Sequence, residues 1–209
     1  MIEAIVVQQD VNRHEPIVPA PMYSLVVVAA SAGGLAALTT LLADLPQGFP
    51  LPVAVVQHLD PSHDSVMAQI LGRRTALRVK EATDGDLLAP GVVFVAPADR
   101  HLLVGPGRSL ELNRSERVHF LRPAADCLFA SAAKMCGRVI AVVLTGTGHD
   151  AAAGIIAVKS AGSAAIAQDE ASSAFFGMPQ AAIDTGLVDW VLPLDRIGAA
   201  LVGLAARFS

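Results

Sequence analysis

Residues 25–45 read LVVVAASAGGLAALTTLLADL, and a change of period inside this stretch decides the fold. Leu25, Val26, Val27 and Val28 form a continuous apolar run, as expected of a strand buried on both faces of a parallel sheet. Leu35, Leu38, Leu42 and Leu45 then recur at spacings of three and four, the period of a helix. Between the two stands Ser31-Ala32-Gly33-Gly34. Such a corner lies beyond the carboxyl end of a strand and at the positive end of a helix, where open α/β sheets bind their ligands. Ser31 is therefore a candidate reactive group. Taken alone, it reads as a helix cap beside glycines that permit a tight turn.

Composition supports a covered sheet. A chain of 209 residues suits one domain, or one domain and a tail, and can bury roughly 70% of its unfolded surface. Hydrophobic residues are 53% but aromatics only 4%, so the core is built from Ala, Val, Leu and Ile. A net charge of −4 argues against nucleic-acid binding through phosphate neutralisation, and Arg73-Arg74 reads as solvated surface. Ser24 to Ala43 is 20 residues without a charge, long enough to span a bilayer. Its Ser-Ala-Gly-Gly break, its change of period and the lack of flanking Lys or Arg argue against a span. The N-terminus, MIEAIVVQQD, has no positively charged signal-peptide head, so no membrane insertion and a cytoplasmic location are expected. Cys127 and Cys136, nine residues apart in one expected helix, are about 13 Å apart along its axis and read as reduced core thiols. No His or Cys spacing suits a metal, so no metal is expected.

In chain order, residues 1–22 read as a Pro-containing arm or linker and 23–209 as one domain. Strands are expected at Val53 to Gln57, Val92 to Ala96, Arg138 to Leu144, Ala164 to Ala167 and Leu187 to Val191. Helices are expected at Ser65 to Arg73, Ala124 to Cys136, Ala151 to Ala161, Pro179 to Thr185 and Asp195 to Arg207. His101 to Val104 and Ser109 to Leu112, joined by Gly105-Pro106-Gly107-Arg108, read as an antiparallel hairpin. The alternation predicts an α/β fold: a doubly wound, mostly parallel sheet flanked by helices, with a β-hairpin insertion.

Ser31, His58 and Asp150 all fall where expected strands end, and the carboxyl ends of parallel strands share one edge. Imidazole can take the proton that makes a serine nucleophilic, and a carboxylate can orient the imidazole and stabilise its cation, so the set would suit acyl transfer. Separately, His58 reads as a turn residue and Asp150 as the cap of the helix after it; His149 is the rival base, and His101 and His119 lie beside the hairpin. Backbone N–H groups in the turns at Ser31 to Gly34 and Gly146 to Gly148 could hold an oxyanion, which makes Ala32 and Gly33 candidates. A different class competes here. Gly146 to Ala151 also fits G-x-G-x-x-G/A after a strand, and Asp169-Glu170 follows at the distance of a dinucleotide fingerprint. A non-catalytic binding domain is the third reading.

Ser31-Ala32-Gly33-Gly34, Val56-Gln57-His58, Ala96 to His101, Leu144 to Asp150, Ala167 to Glu170 and Gly177 to Ala182 resemble, in order and spacing, the catalytic domain of CheB-type chemotaxis protein-glutamate methylesterases. The resemblance implies a Ser-His-Asp triad at Ser31, His58 and Asp150, with no cofactor. It implies hydrolysis of glutamyl methyl esters on chemoreceptor cytoplasmic helices to glutamate and methanol, deamidation of particular glutamines, and contacts with other chemosensory proteins. It points to the backbone of Thr147 for the oxyanion and to Met178 on the substrate side. Ala29, Thr147, His149 and Ala151 depart from the usual Gly, Met, Asn and Gly. The short arm implies a catalytic domain without the family's receiver domain, and a binding module with a degenerate site is the alternative.

Overall fold

The computed structural model describes residues 22–58 and 66–206. The expected arm, apart from Met22, lies outside the described residues, as do Ser65 and Arg207 at the ends of two expected helices. In chain order the elements are β1 (Val26–Ala30), α1 (Gly34–Ala43), β2 (Val53–Gln57), α2 (Met67–Gly72), β3 (Arg78–Glu81), β4 (Val92–Val95), β5 (His101–Val104), β6 (Leu110–Asn113), α3 (Ala125–Met135), β7 (Ile140–Val143), α4 (Ala152–Ser160), β8 (Ala164–Gln168), α5 (Gly177–Asp184), β9 (Trp190–Leu192) and α6 (Leu194–Ala205).

Seven strands form one sheet in the order β3-β4-β2-β1-β7-β8-β9, and every pairing in it is parallel. β5 and β6 form the separate antiparallel hairpin. After β1 the chain winds to one side through β2 and β4, then crosses to the other side with β7. The switch point thus falls between β1 and β7, where the strand order opens a crevice at the carboxyl edge.

Alternate residues of β1 feed two cores. Val26, Val28 and Ala30 pack with Leu38 and Leu42 of α1, Leu71 of α2 and Ile197 and Leu201 of α6. Val27 and Ala29 pack on the opposite face with Leu128 and Phe129 of α3, Ile155 of α4, Ala182 of α5 and Leu102 and Leu110 of the hairpin. The period-2 alternation of a strand thus explains why its whole run is apolar: both faces are covered. The uncharged stretch Ser24 to Ala43 is split between β1 and α1, and among the described residues no helix is long and apolar enough to cross a membrane.

The edges of the sheet differ from expectation. β3, Arg78-Val79-Lys80-Glu81, was not predicted, because its residues are exposed or half-buried and form no apolar run. At the opposite edge, β9 lies at Trp190–Leu192 rather than Leu187–Val191, and again its residues are not buried. Short edge strands, charged in β3, resist pairing with other chains. Cys127 and Cys136 are free and half-buried, and burial raises both thiol pKa values.

α4 lies against α3 at Gly154, where a Cβ would sit 2.6 Å from the Cβ of Phe129. Gly→Ala inside a helix normally stabilises by about 1 kcal/mol. Here Gly154→Ala is expected to destabilise by about 1–3 kcal/mol through overpacking. Urea unfolding measures the change, and a stability equal to or above wild type would contradict the close approach.

Candidate active site

Three strand ends are laced together at the switch point. The Ser31 N–H donates to the Thr145 carbonyl and the His58 N–H to the Ala30 carbonyl, both at 3.0 Å. The Gln57 amide donates to the carbonyls of Ser31 (2.7 Å) and His58 (3.0 Å). The Thr145 hydroxyl donates to the Ala32 carbonyl (3.0 Å) and accepts from the Phe175 N–H (2.9 Å), while the Gln168 side chain accepts from the Thr145 N–H (2.8 Å). Gly146 fits because it lacks a side chain: a Cβ there would meet the Met178 thioether and lie 2.8 Å from the Ser31 Cβ. These contacts bring the Ser31, His58 and Thr145–Asp150 corners side by side.

His58 Nε2 and Asp150 Oδ2 are 2.7 Å apart, with side chains 8% and 1% exposed. The Asp150 carboxylate also accepts from the backbone N–H groups of Ala125 (2.6 Å), Asp126 (3.0 Å) and Ala151 (3.0 Å). Two of these donors belong to the first turn of α3. Asp150 therefore sits at the amino end of a helix remote in sequence, where the helix dipole and unpaired N–H groups favour an anion. The cap of α4 is instead Ala151 at φ +87°, with no side-chain cap bond. Burial pushes the Asp150 pKa up, but the His58 hydrogen bond and the Ala125 and Asp126 N–H groups outweigh it and hold the carboxyl below its ordinary value. Because Nε2 faces Asp150, the nitrogen left to accept a proton is Nδ1, the reverse of the ring order in the serine-protease triad. Among the described residues the Ser31 hydroxyl makes no hydrogen bond to His58; without bound substrate such contacts are commonly long and tighten on binding.

The N–H groups of Ala32, Gly33 and Thr147 have no acceptor among the described residues, whereas that of Gly146 is spent on the Phe175 carbonyl. Gly33 caps α1 at φ +77°, a left-handed backbone suited to glycine. Met178, expected on the substrate side, is instead wholly buried beneath Gly146, so its side chain shapes the loop from behind. Beside Ser31 an open groove of about 730 Å³ runs between α1 and α2, lined by Leu35, Thr39, Met67, Ile70 and Arg74.

The remaining candidates are engaged elsewhere. His149 Nε2 lies 3.0 Å from His119 Nδ1, and His119 Nε2 lies 3.0 Å from Asp126 Oδ2. Asp126 Oδ1 accepts from the Gly154 N–H at 2.6 Å, and burial, with the nearby Asp150 charge, raises the Asp126 pKa despite that bond. Ligand atoms of His119, Asp126 and Asp150 fall within 4.8 Å of one another, but each carboxylate oxygen already accepts hydrogen bonds. Buried His101 joins the Glu116 carbonyl and the Ala124 N–H, a structural role. Asp169, which the dinucleotide reading needs for a ribose, accepts from the N–H and hydroxyl of Ser172 instead. Gln57, Thr145 and Gln168 had no assigned role. Their signal is a polar residue ending or following an apolar strand while remaining buried, at 4%, 2% and 0% exposure.

The family model described as CheB methylesterase matches residues 26–201. This chain belongs to the CheB methylesterase family. It is 45% identical over 185 residues to the protein-glutamate methylesterase FrzG of Myxococcus xanthus, covering 88% of this chain and 55% of that protein. It is 39% identical over 198 residues to a protein-glutamate methylesterase/protein-glutamine glutaminase of Pyrococcus abyssi, covering 93% of this chain and 53% of the relative. The chain thus spans about half the length of the curated relatives it matches. The crystal structure of the Thermotoga maritima CheB methylesterase catalytic domain superposes with a TM-score of 0.84 at 37% identity, covering 87% of this chain and 98% of that one. Within this CheB-family domain, Ala151 takes a positive φ, a conformation that favours glycine, and is fully buried.

Asp150→Ala removes an acceptor from two N–H groups of α3 and is expected to cost about 1–2 kcal/mol, as at other helix caps. The sign with pH is set by the lowered pKa: the Asp150 contribution is complete above the unfolded value of 3.8 and is lost as pH falls through the folded value. Asp126 acts oppositely, its raised value costing stability near neutrality that is regained as pH falls through it. The stability gap between wild type and Asp150→Asn, from urea unfolding at several pH values, should therefore shrink below pH 3.8. A gap independent of pH would contradict the assignment.

Proposed function

We propose that the domain hydrolyses glutamyl methyl esters of proteins, with Ser31 as nucleophile, His58 as base and Asp150 as the group that orients His58. The observation that carries the reading is the buried His58–Asp150 contact, anchored on the α3 amino terminus beside Ser31 at the sheet's switch point. Proteins of this family are named protein-glutamate methylesterases, which supplies the substrate class.

In the first step Ser31 Oγ attacks the ester carbonyl as its proton passes to His58 Nδ1, and Asp150 stabilises the imidazolium. The Ala32, Gly33 and Thr147 N–H groups face the oxyanion. Methanol leaves with the proton returned by His58, giving a glutamyl ester on Ser31. Water, deprotonated by His58, then hydrolyses that ester to glutamate and free serine. A glutamine side chain follows the same path with ammonia as the leaving group, matching the glutaminase half of several relatives' names. The substrates are methylated cytoplasmic helices of chemoreceptors, with other chemosensory proteins as further partners.

Methanol release from a methylated cognate receptor tests the reading. Ser31→Ala and His58→Ala should each lower it by about 10³-fold or more, and Ser31→Ala should leave the thermal unfolding midpoint near wild type. Release retained by Ser31→Ala would exclude the serine mechanism.

A further inference from the structure

Val118 and Leu121 close a two-residue turn by exchanging backbone hydrogen bonds at 2.8 and 3.2 Å. Its central residues, His119 and Phe120, have φ of +53° and +64°. A turn with two left-handed residues calls for Asn-Gly, and a bulky side chain there is an outlier. Phe120 is moreover 93% exposed, the highest value among the exposed large hydrophobic side chains described. Residues held in such sparsely populated backbone conformations cluster at ligand clamps and other functional sites.

The turn is held firmly. His119 contacts Asp126 and His149, and Arg122 donates to Asp99 (2.6 and 3.0 Å) and to the carbonyls of Arg114 and Ser115. Through His119, which touches Asp126 and His149, the turn is tied to the segments that hold Asp150. Arg114 and Arg117, 63% and 52% exposed, share the single Asp99 carboxylate with Arg122. From Asp99 to Arg122 there are five arginines against three carboxylates, in a chain whose net charge is −4.

We infer that this turn is the docking element for the protein substrate: Phe120 inserts between side chains of an acidic, amphipathic helix carrying the target ester, while Arg114 and Arg117 face its carboxylates. Exposed aromatic anchors flanked by arginine are the usual composition of interface hot spots, and complementary charge fixes orientation and speeds encounter. The inference rests on the proposed methylesterase reading for the identity of the helix.

Phe120→Asn removes the ring and suits the left-handed turn, so folding is preserved. In the Ser31→Ala background, binding to a methylated cytoplasmic fragment of the cognate receptor is measured at equilibrium. Phe120→Asn should weaken Kd about tenfold or more. Arg114→Gln with Arg117→Gln should reduce the salt dependence of binding. In the active protein Phe120→Asn should raise KM for the methylated fragment, with kcat and hydrolysis of p-nitrophenyl acetate unchanged. An unaltered Kd, or no binding of the fragment at all, overturns the docking role. Absence of methanol release with binding intact and sensitive to Phe120 overturns the methylesterase reading instead.

Discussion

The geometry of the candidate site depends on where one carboxylate is held. Asp150 accepts two hydrogen bonds from the first turn of α3 and one from its own neighbour Ala151, and the remaining approach is taken by His58. Removing an ionised carboxylate from water is costly unless hydrogen bonds replace hydration, and four donors do so here. The same contacts fix the His58 ring, tie the loop after β7 to α3, and hold the carboxyl pKa down where burial alone would raise it. Stability and the placement of His58 are thus served by a single group.

Around that anchor the sheet supplies proximity. β1 lies between β2 and β7, so Ser31, His58 and the Thr145–Asp150 loop meet without any long segment having to reach across the molecule. Buried amides and a hydroxyl at the strand ends, Gln57, Thr145 and Gln168, satisfy the backbone where the ladders stop. Gly146 lets the β7 loop approach Ser31 more closely than any side chain would allow. Preorganisation of this kind is what an acyl-transfer site requires, because donors and base need not rearrange as charge develops.

Central strands were legible in the sequence because both faces are covered, which forces an unbroken apolar run; β1, β2, β4, β7 and β8 all obey this. β3 borders solvent and carries no apolar run, so it has no sequence signal, whereas β9 is only three residues long and exposed, which leaves its ends undefined by pattern. The helix-cap reading of Asp150 was right in kind but wrong in partner: the helix it caps begins 25 residues earlier, a relation invisible to local pattern. His149 stood as a rival base from its position alone; its contact with His119 depends on the hairpin-side turn, which carries no periodic signal. Met178 belonged to a recognisable motif, yet only packing reveals that it supports Gly146 from the core. Phe120 carries no sequence signal, because a lone aromatic residue in a loop is ordinary until its backbone and exposure are known.

The central claim is that Ser31 is activated by the Asp150-anchored His58. Mass spectrometry after reaction with phenylmethylsulfonyl fluoride, which sulfonylates activated serines, tests it without any receptor. The account predicts one adduct on the peptide containing Ser31, formed by wild type and lost in His58→Ala. An adduct on another serine, or labelling of Ser31 that is indifferent to His58, would contradict it.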